Sequence, residues 1–255
     1  MHAHSDPHST PETYYVPPPS IWPLVGSIAL LTLAAGFARL LAKQAAGPYL
    51  IALGAGILLI MLIGWFGDVI DETQSGKHAN QVETSFRWGM VWFIFSEVLF
   101  FAGFFGALFY ARHIALPTLA DTPLLWPGFT AAWPSAGPAA SVAPTPVDAW
   151  GIPALNTLIL LSSGATVTWA HWGLQLGRQS QLKLGLALTV ILGLVFITLQ
   201  IHEYGEAAFS IRDGIFGATF YMLTGFHGFH VLLGTVMLFV IFLRSLAGHF
   251  TPGRH

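Results

Sequence analysis

Long apolar runs separated by short polar breaks set the layout of this chain. Six of them stand out, at about 21–42, 49–70, 86–111, 152–175, 183–204 and 216–243. None alternates in twos as a barrel strand does. Each is long enough, at about 1.5 Å per residue, to cross about 30 Å of hydrocarbon as a helix. In lipid a helix satisfies its own backbone, so the pattern predicts an all-α membrane protein, a polytopic bundle with six visible transmembrane helices. Residues 1–20 read as a polar tail that ends in the extended Pro17–Pro18–Pro19 segment. The stretch 113–151 is rich in Ala, Pro and Trp, and its prolines forbid a further spanning helix there. It reads as an extramembrane cap.

Composition sharpens this picture. The 255 residues are 54% hydrophobic and only 9% charged, against roughly 25% charged in soluble domains. A soluble all-α protein with a greasy core is the weaker alternative. No basic run is present to bind nucleic acid. The absence of cysteine excludes disulfides and thiolate metal sites, and the start of the chain lacks the basic segment and cleavage site of a signal peptide. With the N-terminus inside, six of the ten Lys and Arg fall on the inner side and four on the outer. That is a small excess in favour of a cytoplasmic N-terminus.

Polar residues inside the spans are the candidates for chemistry. Glu97 stands in FIFSEVLFFAGFFG (93–106), near the middle of the third span. An ionised carboxylate at that depth costs about 2.5–3.5 kcal/mol. Its helical neighbours Phe93, Ile94, Phe100 and Phe101 offer no partner, so one must come from another span, a lipid headgroup or water. Two readings remain open: a neutral acid hydrogen-bonded between helices, or a proton-relay or ligand group. Ala102 with Gly106, and Gly103 with Ala107, read as small-residue pairs at a close helix contact.

In the fourth span Thr168, His171 and Gln175 share one face, suited to packing on another helix. In the sixth, His227 and His230 lie three residues apart, a spacing that can aim two imidazoles at one metal. The competing reading is two structural histidines hydrogen-bonded to neighbouring helices. HEYGE, from His202, starts like a zincin helix but lacks the second histidine, so that motif fails. The segment 200–214 then reads as a solvated interfacial loop.

Taken together, DVIDE (68–72), FRWGMVWFIFSEVLFFAGFF (86–105), LNTLILLSSGATVTWAHWGL (155–174), LQIHEYGEAAFSIRDGIFGATFYMLTGFHGFHVLLGT (199–235) and RSLAGHF (244–250) resemble subunit III of the haem–copper oxidases, in its bacterial cytochrome c oxidase form. The resemblance implies an accessory subunit of a proton-pumping complex that reduces O2 to water with electrons from cytochrome c. Haem and copper would then lie in partner subunits I and II, with no cofactor or metal in this chain. The family fold is a bundle split by a V-shaped cleft that holds phospholipid. It implies a first two-helix bundle at 21–75 and a second bundle at 76–255, in a bacterial inner (plasma) membrane.

Carried over residue by residue, the family's membrane-embedded glutamate matches Glu97, and a lipid-contacting loop histidine matches His78. Arg244 matches an arginine suited to a lipid phosphate, and Trp65 and Asp68 match a Trp and an Asp at the end of the second span. These five form the expected lipid-binding set. His171 is expected to be structural, as are His227 and His230, which match the family's paired histidines.

Two departures stand out. Asp71 occupies a position where the family usually has arginine, and a seventh span follows position 250 in the family. The sequence is therefore expected to be cut short at His255. Alternatives kept open are the third subunit of a quinol-oxidising haem–copper oxidase, a proton-coupled transporter using Glu97, and a haem or copper enzyme using His171, His227 and His230.

Overall fold

The computed structural model describes residues 15–77, 80–140 and 143–250. The described chain is helical throughout its regular structure, with α1 at Trp22–Leu41, α2 at Ala46–Gln74 and α3 at Asn80–Tyr110. A π-helical turn at Ala111–Ala115 and a short α4 at Leu116–Ala120 prolong α3 into the cap. There follow α5 at Ile152–Gln175, α6 at Gln179–Glu206 and α7 at Gly214–Leu246. Six helices are long and apolar enough to cross a membrane, the third running on from Gln81 to Ala120. The helical prolongation past 111 departs from the expected break. Pro117 has no N–H for the carbonyl of His113, and the backbone widens into its π turn around that carbonyl.

The chain divides into two compact units, Met1–Ile94 and Phe95–His255, with the division inside α3. In the first unit α1 and α2 pack as a hairpin through glycines. A Cβ on Gly36 would lie 2.8 Å from the backbone nitrogen of Ile51, and one on Gly54 would lie 2.8 Å from that of Leu33. Ala29 is fully buried in this seam. At the far end of α2, Trp22 Nε1 donates to Asp68 Oδ2 at 2.6 Å and Tyr15 Oη donates to Glu72 Oε1 at 2.9 Å. Asp68 and Glu72 are one turn apart, so the N-terminal segment is fastened along a single face of α2.

Tyr15 lies outside the spans, and its environment gives a pH dependence. Desolvation against the helix end, then the hydrogen bond to Glu72 and that carboxylate's charge, raise its phenol above the ordinary value. A phenol donates only while protonated. The Tyr15 contact is therefore fully present below the free phenol's value of about 10 and is lost as pH climbs through the raised one. Ultraviolet titration of wild type against Tyr15→Phe should show one tyrosinate with a midpoint above that of a free tyrosine. A difference spectrum titrating at or below the free value would contradict this contact.

In the second unit α6 is the central helix of three. Its buried positions Leu182, Gly185, Leu186, Thr189, Val190, Gly193 and Phe196 recur at three- and four-residue spacing. A Cβ on Gly185 would meet Ala170 Cβ at 2.7 Å and its Cα at 3.0 Å, so α5 and α6 touch backbone to backbone. On the other side, a Cβ on Gly193 would meet Thr235 Oγ1 of α7 at 2.5 Å. The Thr166 and Thr189 hydroxyls join α5 to α6 at 2.8 Å. Ala170, Leu182 and Leu186 form a dry core here, with Leu238 and Phe242 of α7 packed against it.

The part of α3 in this unit meets α7 differently, through large side chains. Phe100 and Phe104 each bring their rings to within 5.2 Å or less of Phe226, centroid to centroid. Ala102, Gly103, Gly106 and Ala107 are exposed, and no described residue approaches a Cβ built on either glycine within 4 Å. The expected close contact through these small pairs is therefore not made among the described residues. Bulky phenylalanines set the α3–α7 spacing and leave the small residues on other faces.

Residues 133–136, between α4 and α5, pack against the start of α7. Phe216 N–H donates to the Ser135 carbonyl at 3.1 Å, and the Trp133 ring lies 5.5 Å from that of Phe216. Gly214 has φ +78° and lies directly beneath the Ala136 carbonyl, a place closed to any side chain.

Candidate functional site

Glu97 finds its partner on the last helix. Its Oε2 lies 2.5 Å from His230 Nε2 of α7. The other imidazole nitrogen, Nδ1, lies 2.6 Å from the Phe226 carbonyl oxygen one turn back. A carbonyl only accepts, so Nδ1 carries a proton and donates it. That leaves Nε2 and Oε2 facing each other, and a lone pair against a carboxylate oxygen would repel. One proton must stand between them. Either a neutral imidazole accepts from the carboxylic acid, or an imidazolium donates to the carboxylate. Both placements give the pair zero net charge.

The neighbouring rings follow from the sequence spacing. Phe100 and Phe101 follow Glu97 by one turn on α3, and Phe226 precedes His230 by one turn on α7. The Phe101 and Phe100 rings lie 5.2 and 6.0 Å from the imidazole. Glu97 and His230 retain 31% and 32% side-chain exposure, so both are partly shielded. The arrangement can hold one proton and pass it between two atoms across a hydrogen bond.

The two histidines of α7 are thus not one site. His230 turns to α3, whereas His227 is exposed, faces α6 and lies edge-on to Phe196 at 5.9 Å. His227 makes no hydrogen bond among the described residues, which corrects the expectation that both bond to neighbouring helices. His171 is exposed on α5 beside Gln175 at 3.5 Å, and Thr168 is exposed too. The expected packing of that face on another helix is not made among the described residues. The three histidines therefore do not converge, and among the described residues no three His, Asp or Glu side chains are placed to hold a metal ion.

The remaining expected site residues are dispersed. Asp68 holds the Trp22 indole, while Trp65 is 47% exposed and stacks on Phe66 at 6.2 Å. Arg244 stands in the last turn of α7 with its guanidinium 5.2 Å from the Phe250 ring and its buried Nε without a hydrogen-bond partner among the described residues. His78 lies outside the described residues.

Sequence reasoning passed over two further residues. Glu203 was read into a solvated loop, yet α6 runs on to Glu206 and buries Glu203 to 6% exposure. Asn156, in the first turns of α5, is buried to 3%. An amide inside one span and an acid at the end of the next were the available signals, and only their juxtaposition gives them meaning.

The comparisons with known proteins agree along the whole chain. The family model described as cytochrome c oxidase subunit III matches residues 12–255. The cytochrome c oxidase subunit 3 of Marchantia polymorpha is 43% identical over 245 residues, 95% of this chain and 86% of that protein. That of Cyprinus carpio is 42% identical over 243 residues, again 95% and 86%. That of Dugong dugon is 41% identical over 249 residues, 97% and 88%. This chain belongs to the cytochrome c oxidase subunit III family.

Proposed function

We propose that this chain is the accessory third subunit of a proton-pumping cytochrome c oxidase in a bacterial plasma membrane. Subunits I and II carry the haem and copper centres and receive electrons from cytochrome c. The third subunit binds phospholipid, packs beside subunit I and sustains its proton uptake during O2 reduction. The N-terminus lies on the cytoplasmic side, in line with the excess of Lys and Arg assigned to that side. The match over residues 12–255 is the observation that carries this reading.

Isolation of the tagged chain in mild detergent tests it. Haem- and copper-bearing polypeptides should copurify with O2-reducing activity, and the chain stripped of them should show no Soret band. A Soret band in the stripped chain would overturn the assignment. Glu97→Gln should leave the haem spectrum of the complex unchanged and lower turnover only mildly, because Glu97 shapes its surroundings without taking part in redox chemistry. Loss of haem in that variant would contradict this role.

Lipid binding rests on separate groups within each unit. Arg244 supplies a cation at a helix end with a buried Nε that has no hydrogen-bond partner among the described residues, a good match for a phosphate oxygen. In the other unit, Trp65 offers an exposed indole of the kind that favours the headgroup level, and Asp68 fixes Trp22 nearby. Arg244→Ala should remove about 1 kcal/mol of headgroup attraction, roughly fivefold in occupancy. Phosphorus analysis of the delipidated and re-equilibrated complex reads that change, and equal phospholipid retention would count against the site.

A further inference from the structure

The three helices α5, α6 and α7 share two contrasting interiors. At one end lies the dry core of Ala170, Leu182 and Leu186. At the other is an open pocket of about 380 Å³ whose lining is largely apolar but includes Asn156 of α5, Gln200 and Glu203 of α6, and Thr224 and His227 of α7. Both side-chain polar atoms of Asn156 and Oε2 of Glu203 are buried there with no hydrogen-bond partner among the described residues. Asn156 and Glu203, both more than nine-tenths buried, are thus among the residues around one space and hold three unsatisfied atoms between them.

We infer that this cavity is an internal hydration site. It holds ordered water on Asn156 and Glu203, in a space that extends to His227. The donor set selects the ligand. The amide of Asn156 must both donate and accept, and the carboxyl of Glu203 needs at least one partner. A bare cation would leave the amide donors unmet, and an acyl chain would leave all three atoms unmet. Water meets both needs, and the space is far larger than the roughly 10–15 Å³ that one water requires.

Access comes through Glu203 itself, which also lines a second cavity of about 330 Å³ reaching Glu206. Glu206 keeps 71% of its side chain exposed. Inward, His227 is one turn from His230, so the wet space ends beside the helix turn that carries the Glu97–His230 pair.

Radiolytic hydroxyl-radical footprinting of the protein, purified with whatever subunits accompany it, tests the site, because radicals form where water is bound. Phe196 is only 3% exposed but lines this cavity, whereas Leu182 and Leu186 are equally buried in the dry core. After correction for intrinsic side-chain reactivity, Phe196 should be labelled about fivefold faster than either leucine. Asn156→Leu should reduce that labelling, and a high-resolution map should place waters within hydrogen-bond distance of Asn156 and Glu203. Labelling of Phe196 no faster than the leucines would overturn the inference. So would a map showing an acyl chain, a partner side chain or a direct Asn156–Glu203 bond in that space. If Asn156→Leu fails to accumulate, the wild-type comparison and the map still decide.

Discussion

His230→Leu should lower the stability of the protein in detergent by about 1–3 kcal/mol, because it leaves a partly shielded Glu97 beside phenylalanines without its partner. The substitution keeps the volume near that of the imidazole but removes the group that shares a proton with Oε2. The stranded acid must then take up its own proton or draw water to an apolar surface. Glu97→Leu would leave His230 less exposed to penalty, because Nδ1 keeps its bond to the Phe226 carbonyl. The double variant, Glu97→Leu with His230→Leu, should recover most of the loss, since removing both halves of a pair is often close to neutral. Thermal unfolding of the four proteins gives the coupling between the sites. Additive losses would show that the 2.5 Å contact carries little energy.

The second large effect lies in the seam between α5 and α6. Gly185→Leu should destabilise the second unit by about 3 kcal/mol or more and reduce its accumulation in membranes. Even a Cβ would stand 2.7–3.0 Å from the Cβ, Cα and nitrogen of Ala170, and backbone atoms cannot swing aside as a side-chain tip can. The helices must separate, and the buried contacts of Leu182 and Leu186 go with them. Gly103→Leu is the matched control: no described residue lies within 4 Å of a Cβ there, so within this chain it should change stability by no more than about 0.5 kcal/mol. Equal losses in the two variants would refute this account of helix packing.

These two predictions mark where sequence reading succeeds and where it stops. The six spans were visible because an apolar run can hardly be anything else in so uncharged a chain. Their ends were less visible. The run at 183–204 became a helix at Gln179–Glu206, since polar end residues continue a helix without extending its hydropathy. Glu97 was recognisable as a group in need of a partner, yet periodicity along one helix says nothing about which other helix faces it.

His227 and His230 illustrate the same limit. Three residues along a helix turn through about 300°, which leaves two side chains roughly 60° apart, enough to serve one site or two. The α3 phenylalanines and the cavity beside α6 decide for two. The small-residue signal was real but misplaced: it pointed to Gly103 and Gly106, while the backbone contacts fall at Gly36, Gly54 and Gly185. Glycine permits close approach, and only the facing helix determines whether approach occurs. The buried Asn156 and Glu203 escaped notice because each is unremarkable on its own helix.

The hydrogen bond from His230 Nδ1 to the Phe226 carbonyl has an electrical consequence. By fixing one proton on the imidazole, it leaves the Glu97–His230 pair with no net charge in either arrangement of the other proton. A transmembrane voltage therefore exerts no net force on the pair as a whole. A proton hop between the two atoms covers at most the 2.5 Å that separates them. Against about 30 Å of hydrocarbon and about 2.3 kcal/mol per charge per 100 mV, the field can bias that hop by no more than about 0.2 kcal/mol. Across a polarised membrane the pair would be nearly blind to the voltage.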